Sequence, residues 1–67
     1  MNATQLKGKW EQFTGDAKRQ WGKLTDDDLR TIEGDRDKLV GAVQERYGRS
    51  KDDAEREVDD WSRTHAS

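Results

Sequence analysis

The chain has no cysteine, no proline and no long apolar run, and it carries a single histidine, His65. Without cysteine there is neither a disulfide framework nor thiol chemistry. The absence of an apolar run excludes a transmembrane helix and a secretory signal from the sequence as it stands. The cytoplasm is therefore the expected compartment. Leu, Ile, Val and Phe together number nine in 67 residues, whereas 42% of the chain is charged. Such a composition points toward disorder, but the net charge is only −2, so the charges attract as well as repel. What the chain does have is Trp10, Trp21 and Trp61, with Phe13 and Tyr47. Each aromatic buries roughly 150–250 Å². Three well-buried indoles contribute on the order of 10 kcal/mol before entropy is subtracted. A single folded domain spanning 1–67, with a core built on tryptophan, is the expectation.

Residues 6–27 and 32–53 are two copies of one pattern, offset by 26 positions. Leu6, Gly8, Phe13, Gly15, Ala17, Trp21, Gly22, Lys23, Asp26 and Asp27 match Ile32, Gly34, Leu39, Gly41, Val43, Tyr47, Gly48, Arg49, Asp52 and Asp53. A repeated helical unit buries its apolar face on its sibling. The predicted fold is all-α: four helices in two related, crossed hairpins that arise by internal duplication.

Leu6, Trp10, Phe13, Ala17 and Trp21 form a helical stripe, which predicts a first helix over about 3–21. Gly22 then stands where a left-handed cap belongs. Thr25 and the aspartates Asp26, Asp27 and Asp28 predict the start of a short second helix, about 26–33, ended or sharply bent at Gly34. Leu39, Val40, Val43 and Tyr47 define a third helix over about 35–47, closed by Gly48. Ser50 caps a fourth, 51 to about 64, whose apolar residues are Ala54, Val58 and Trp61. Acid-then-base spacing predicts i,i+4 pairs at Asp26–Arg30, Asp52–Arg56 and Asp59–Arg63.

No catalytic, cofactor or metal constellation is recognisable. Asp26–Asp28 are consecutive and splay around a helix start, whereas calcium ligands alternate along a loop. His65 has no second histidine or cysteine beside it and reads as an exposed or weakly packed terminal residue. Ser50 and Ser62 lack a nucleophile motif. So small a core leaves little room for a substrate pocket, so no small-molecule substrate, cofactor or enzymatic activity is expected.

Charge is unevenly spread. Residues 1–24 hold five cations against two anions, and residues 25–67 hold eight against thirteen. Lys7, Lys18, Arg19 and Lys23 are the weak candidate partner surface this creates. A basic helix beside aromatics suits nucleic acid. The acidic overall balance and the need for those rings in the core favour internal charge complementarity instead. Trp10 and Trp61 are assigned to the core; for Trp21, next to a turn, the core and a partly exposed position both stay open. Gly8, Gly15 and Gly41 fall opposite the apolar stripes. They read equally as a smooth strip for a partner backbone or as a helix kept weak, and the sequence does not separate the two.

The runs Trp21-Gly-Lys-Leu-Thr-Asp-Asp-Asp28, Glu33-Gly34 and Gln44-Glu-Arg-Tyr-Gly48, then Lys51-Asp52, Ala54-Glu55, Glu57-Val58 and Trp61, resemble the CsbD-like family of small bacterial proteins. Trp10, Phe13 and Gly15 fit that family's opening segment. The resemblance implies a compact four-helix domain of two hairpins and a bacterial cytoplasmic protein associated with general stress responses. It implies no molecular activity and transfers no site residue. Asp16, Asp35 and Ala42 stand where such proteins more often carry lysine, which weakens a polyanion-binding role.

Overall fold

The computed structural model describes the backbone of residues 3–66 and the side chains of residues 6–64. The described residues form five helices and no strand: α1 (Ala3–Gly8), α2 (Trp10–Gln20), α3 (Asp26–Ile32), α4 (Arg36–Tyr47) and α5 (Lys51–Ala66). The four-helix expectation is corrected because the predicted first helix is two. Lys9 leaves helical geometry (φ −117°, ψ 18°), and its carbonyl accepts from the N–H groups of Gln12 and Phe13 to start α2 afresh. Leu6 and Trp10 still both face inward across the break, at 1% and 7% exposure. An unbroken stripe reading does not anticipate it.

The remaining boundaries follow local chemistry. Thr25 and Asp28 form a reciprocal capping box at the start of α3: the Thr25 Oγ1 accepts from the Asp28 N–H, and Asp28 Oδ2 accepts from the Thr25 N–H. Asp35 caps α4 and Ser50 caps α5, each through a side-chain oxygen. α3 and α4 do not merge. Glu33 turns left-handed (φ 49°), Gly34 follows at φ 79°, and Asp35 restarts the helix. Gly48 closes α4 in the left-handed region as predicted (φ 63°). Gly22 does not act in this way. The chain leaves α2 through Trp21 at φ −124°, and the Leu24 N–H closes the turn on the Trp21 carbonyl.

α4 packs along α5, and α3 packs on α4. Every element contributes to one core, in which Leu6, Trp10, Ala17, Trp21, Leu24, Leu29, Ile32, Leu39, Val40, Val43, Ala54, Val58 and Trp61 are buried. Trp21 is fully enclosed, which decides between the two positions the sequence left open. Its ring packs on Trp61, and its indole N–H is taken up by Glu57. The rings of Trp21 and Trp61 meet edge-on at 5.1 Å, and Phe13 meets Trp61 at 6.1 Å. Trp10 donates its indole N–H to the Leu29 carbonyl at 3.0 Å, joining α2 to α3. The Cα radius of gyration is 10.5 Å. A compact chain of this length is expected near ~11 Å, so charge content has not expanded it.

Candidate functional site

The boundaries recur at the spacing of the sequence repeat. α2 starts at Trp10 and α4 at Arg36, 26 positions on, so Lys9 and Asp35 are equivalent breaks. The ends of α2 and α4 present the repeated triplets Trp21-Gly22-Lys23 and Tyr47-Gly48-Arg49, and the fold crosses them over. The Lys23 ammonium lies over the Tyr47 ring, 5.1 Å from its centroid, and the Lys23 N–H donates to the Tyr47 hydroxyl at 3.1 Å. The Arg49 Nε lies 2.9 Å from Glu57 Oε2, and the other oxygen of Glu57 accepts the Trp21 indole N–H at 2.8 Å. The cation of one triplet thus holds the aromatic of the other, directly in one case and through a carboxylate on α5 in the other.

This junction is the best-defined polar constellation in the molecule. Sequence reasoning paired the triplets but singled out neither Tyr47, Arg49 nor Glu57 as partners across the fold. The usable signal was the repeat itself, since each triplet carries one aromatic and one cation. Its groups are mutually satisfied: a half-buried carboxylate between an indole N–H and a guanidinium is a structural clamp.

The predicted cationic residues find different neighbours. The Lys18 Nζ sits 2.7 Å from Asp26 Oδ1. Arg19 extends into solvent, 3.9 Å from Asp16. Lys7 is exposed on α1, its backbone beside Gly34. Lys23 covers Tyr47. Lys18 and Lys23 therefore hold the fold together, while Lys7 and Arg19 project outward.

The acidic triplet serves the start of α3. Asp28 meets Arg46 with both oxygens, at 3.0 and 3.1 Å, and Asp26 meets Lys18. The Lys18 hydrogen bond and charge hold the Asp26 carboxyl below its ordinary value. The hydrogen bond from Arg46, then that from the Thr25 backbone, do the same for Asp28, and Asp28 in turn raises Arg46. Asp26 and Asp59 choose partners on other helices, Lys18 and Arg36, in place of the i,i+4 mates predicted along their own. Contacts between elements cross larger gaps in sequence, which local spacing cannot report.

Among the described residues no group of His, Cys, Asp or Glu is arranged to hold a metal. Ser50 Oγ is committed to capping α5, and Ser62 is buried. The His65 side chain lies outside the described residues. Open grooves mark the surface among the described residues. One, about 350 Å³, is lined by Gln20, Glu57, Asp60, Trp61 and Thr64. Another, about 410 Å³, runs between α3 and α4 past Asp28, Lys38, Gly41 and Glu45. No large hydrophobic side chain is exposed among the described residues, and none of their helices is long and apolar enough to cross a membrane.

These features define a class: a small, highly charged, all-helical domain whose tryptophans are internal and whose ionic groups join its own helices. The CsbD-like family profile matches residues 4–56, and the chain belongs to that family. It is similar to the UPF0337 protein YjbJ of Escherichia coli O6:H1 (strain CFT073), with 60% identity over 97% of this chain and 94% of the relative. The UPF0337 protein ECA0631 of Pectobacterium atrosepticum is 62% identical, with the same coverage of each. The UPF0337 protein PA4738 of Pseudomonas aeruginosa is 56% identical over 92% of this chain and 95% of its own length.

Proposed function

We propose that this protein is a non-catalytic, stress-associated component of the bacterial cytoplasm that protects through its hydrated polyampholyte surface rather than through a binding site. One observation carries the reading: every large apolar side chain among the described residues is withdrawn from solvent, leaving a surface of interspersed charges of both signs. Such a surface binds water strongly and resists self-association, so the protein stays dispersed when concentrated. Two related, crossed helical hairpins complete the reading. The 26-residue recurrence of helix starts and the crossed aromatic-Gly-cation triplets support a duplicated unit.

The test is protection of a labile enzyme through drying and rehydration, with the wild-type chain compared with a Lys7→Glu, Arg19→Glu variant. Protection that rises smoothly with concentration and survives the charge reversal supports a bulk surface effect. Protection abolished by the two substitutions overturns it.

The second reading is a binding module for nucleic acid or a protein partner through basic α1 and α2. It is favoured by the outward projection of Lys7 and Arg19 beside exposed Gly8 and Gly15, where an added Cβ meets nothing within 4 Å. A phosphate-binding surface predicts DNA affinity that falls steeply with salt and disappears in the same variant.

A further inference from the structure

α3 is fastened differently from the rest of the fold. It has seven residues, too few to stay helical alone. It sends only Leu29 and Ile32 into the core. Its last turn is bound to Trp10, because the Leu29 carbonyl accepts both the Trp10 indole N–H and the Glu33 N–H. Its first turn is held by charge: Asp26 reaches Lys18 on α2, and Asp28 reaches Arg46 on α4 while completing the capping box with Thr25. Asp26 and Asp27 are exposed, so no apolar contact backs them. The pairing of α4 with α5 is of another kind, with Leu39, Val40 and Val43 buried on one helix and Ala54, Val58 and Trp61 on the other.

We infer that α3 is a charge-latched lid over Trp10, a segment that opens as a unit when its carboxylates are neutralised while α4 and α5 remain packed. The groups facing the latch are Lys18 from α2 and Arg46 from α4. Glu45 and Lys38 line the α3–α4 groove beside Asp28, and Asp27, Arg30 and Glu33 lie on α3 or at its end. Lowered carboxyls stabilise the closed form above the ordinary aspartate range. That contribution is lost as pH falls through their native values. The Lys18 and Arg46 charges then face neutral acids, and the segment is held by the apolar anchors Leu29 and Ile32 and the Trp10–Leu29 hydrogen bond. Opening uncovers the Trp10 indole and the side of α4 beneath α3.

Backbone hydrogen exchange on the full chain, corrected for the intrinsic pH dependence of the chemistry, reads this directly. Between about pH 6 and about pH 3, protection of the Leu29 and Glu33 amides is expected to fall about threefold or more further than that of amides in the middle of α5. Asp28→Asn is expected to raise α3 exchange already at the higher pH and to flatten its acid response. Lys18→Gln, at an exposed site, is expected to do so more weakly. Protection lost in step across α3, α4 and α5 overturns the inference. So does an Asp28→Asn chain that unfolds as a whole, or one whose α3 exchange matches wild type at both pH values.

Discussion

A Cβ placed on Gly34 stands 2.5 Å from the Lys7 Cα and 2.9 Å from the Leu6 carbonyl oxygen, on a residue whose φ is +79°. Neither the backbone it meets nor its own torsion can yield cheaply, so Gly34→Ala is expected to cost about 3 kcal/mol or more. Gly15 and Gly41 are the opposite case. Both are inside helices, exposed, and open to an added methyl. Their alanine variants are expected to gain about 0.5–1 kcal/mol in urea unfolding followed by circular dichroism. If a partner lies along these glycines, the same variants lose binding while gaining stability. Glu57 gives a second contrast. Glu57→Ala leaves the enclosed Trp21 N–H without its acceptor, an expected loss of about 1–3 kcal/mol. Glu57→Gln retains an acceptor oxygen and forfeits mainly the attraction to half-exposed Arg49, so its loss in the same denaturation series is expected to be smaller.

At the scale of the element, capping chemistry was legible and chain reversals were less so. Thr25, Asp28 and Ser50 act as their residue types predict, because a cap depends on neighbours three residues away. Thr25→Ala is expected to cost about 1 kcal/mol, read from the same unfolding curves. The Lys9 break was missed because the Leu6–Trp21 stripe fits helical spacing throughout and Lys9 carries no capping oxygen. The repeat still carries the signal, since Gly8-Lys9 is the equivalent of Gly34-Asp35, where the sequence predicts an end or sharp bend. Gly22 and Gly48 are repeat mates with different torsions, so equivalence in sequence did not carry over to the backbone. The cross-helix partners Lys18–Asp26, Arg46–Asp28 and Arg36–Asp59 lie eight to 23 positions apart. Their identity depends on how the helices cross, which no local spacing encodes.

At the scale of the molecule, an aromatic core turns a composition close to that of a disordered chain into a compact body. The apolar stripes name most of the core; Leu24, in the turn after α2, lies outside any stripe yet is buried, and the stripe residues Phe13 and Tyr47 are only partly buried. Of the candidate cations, Lys18 and Lys23 meet acidic and aromatic groups from elsewhere in the chain, which no local pattern reports. The compact fold depends on the indoles being inside and so unavailable to ligands. Acrylamide quenching of tryptophan fluorescence in native buffer tests that most directly. With Trp10, Trp21 and Trp61 at 7%, 0% and 4% exposure, the emission is expected to be blue-shifted and almost insensitive to quencher until the chain unfolds. Emission and quenching equal to those of free, hydrated indole in the native protein contradict the account.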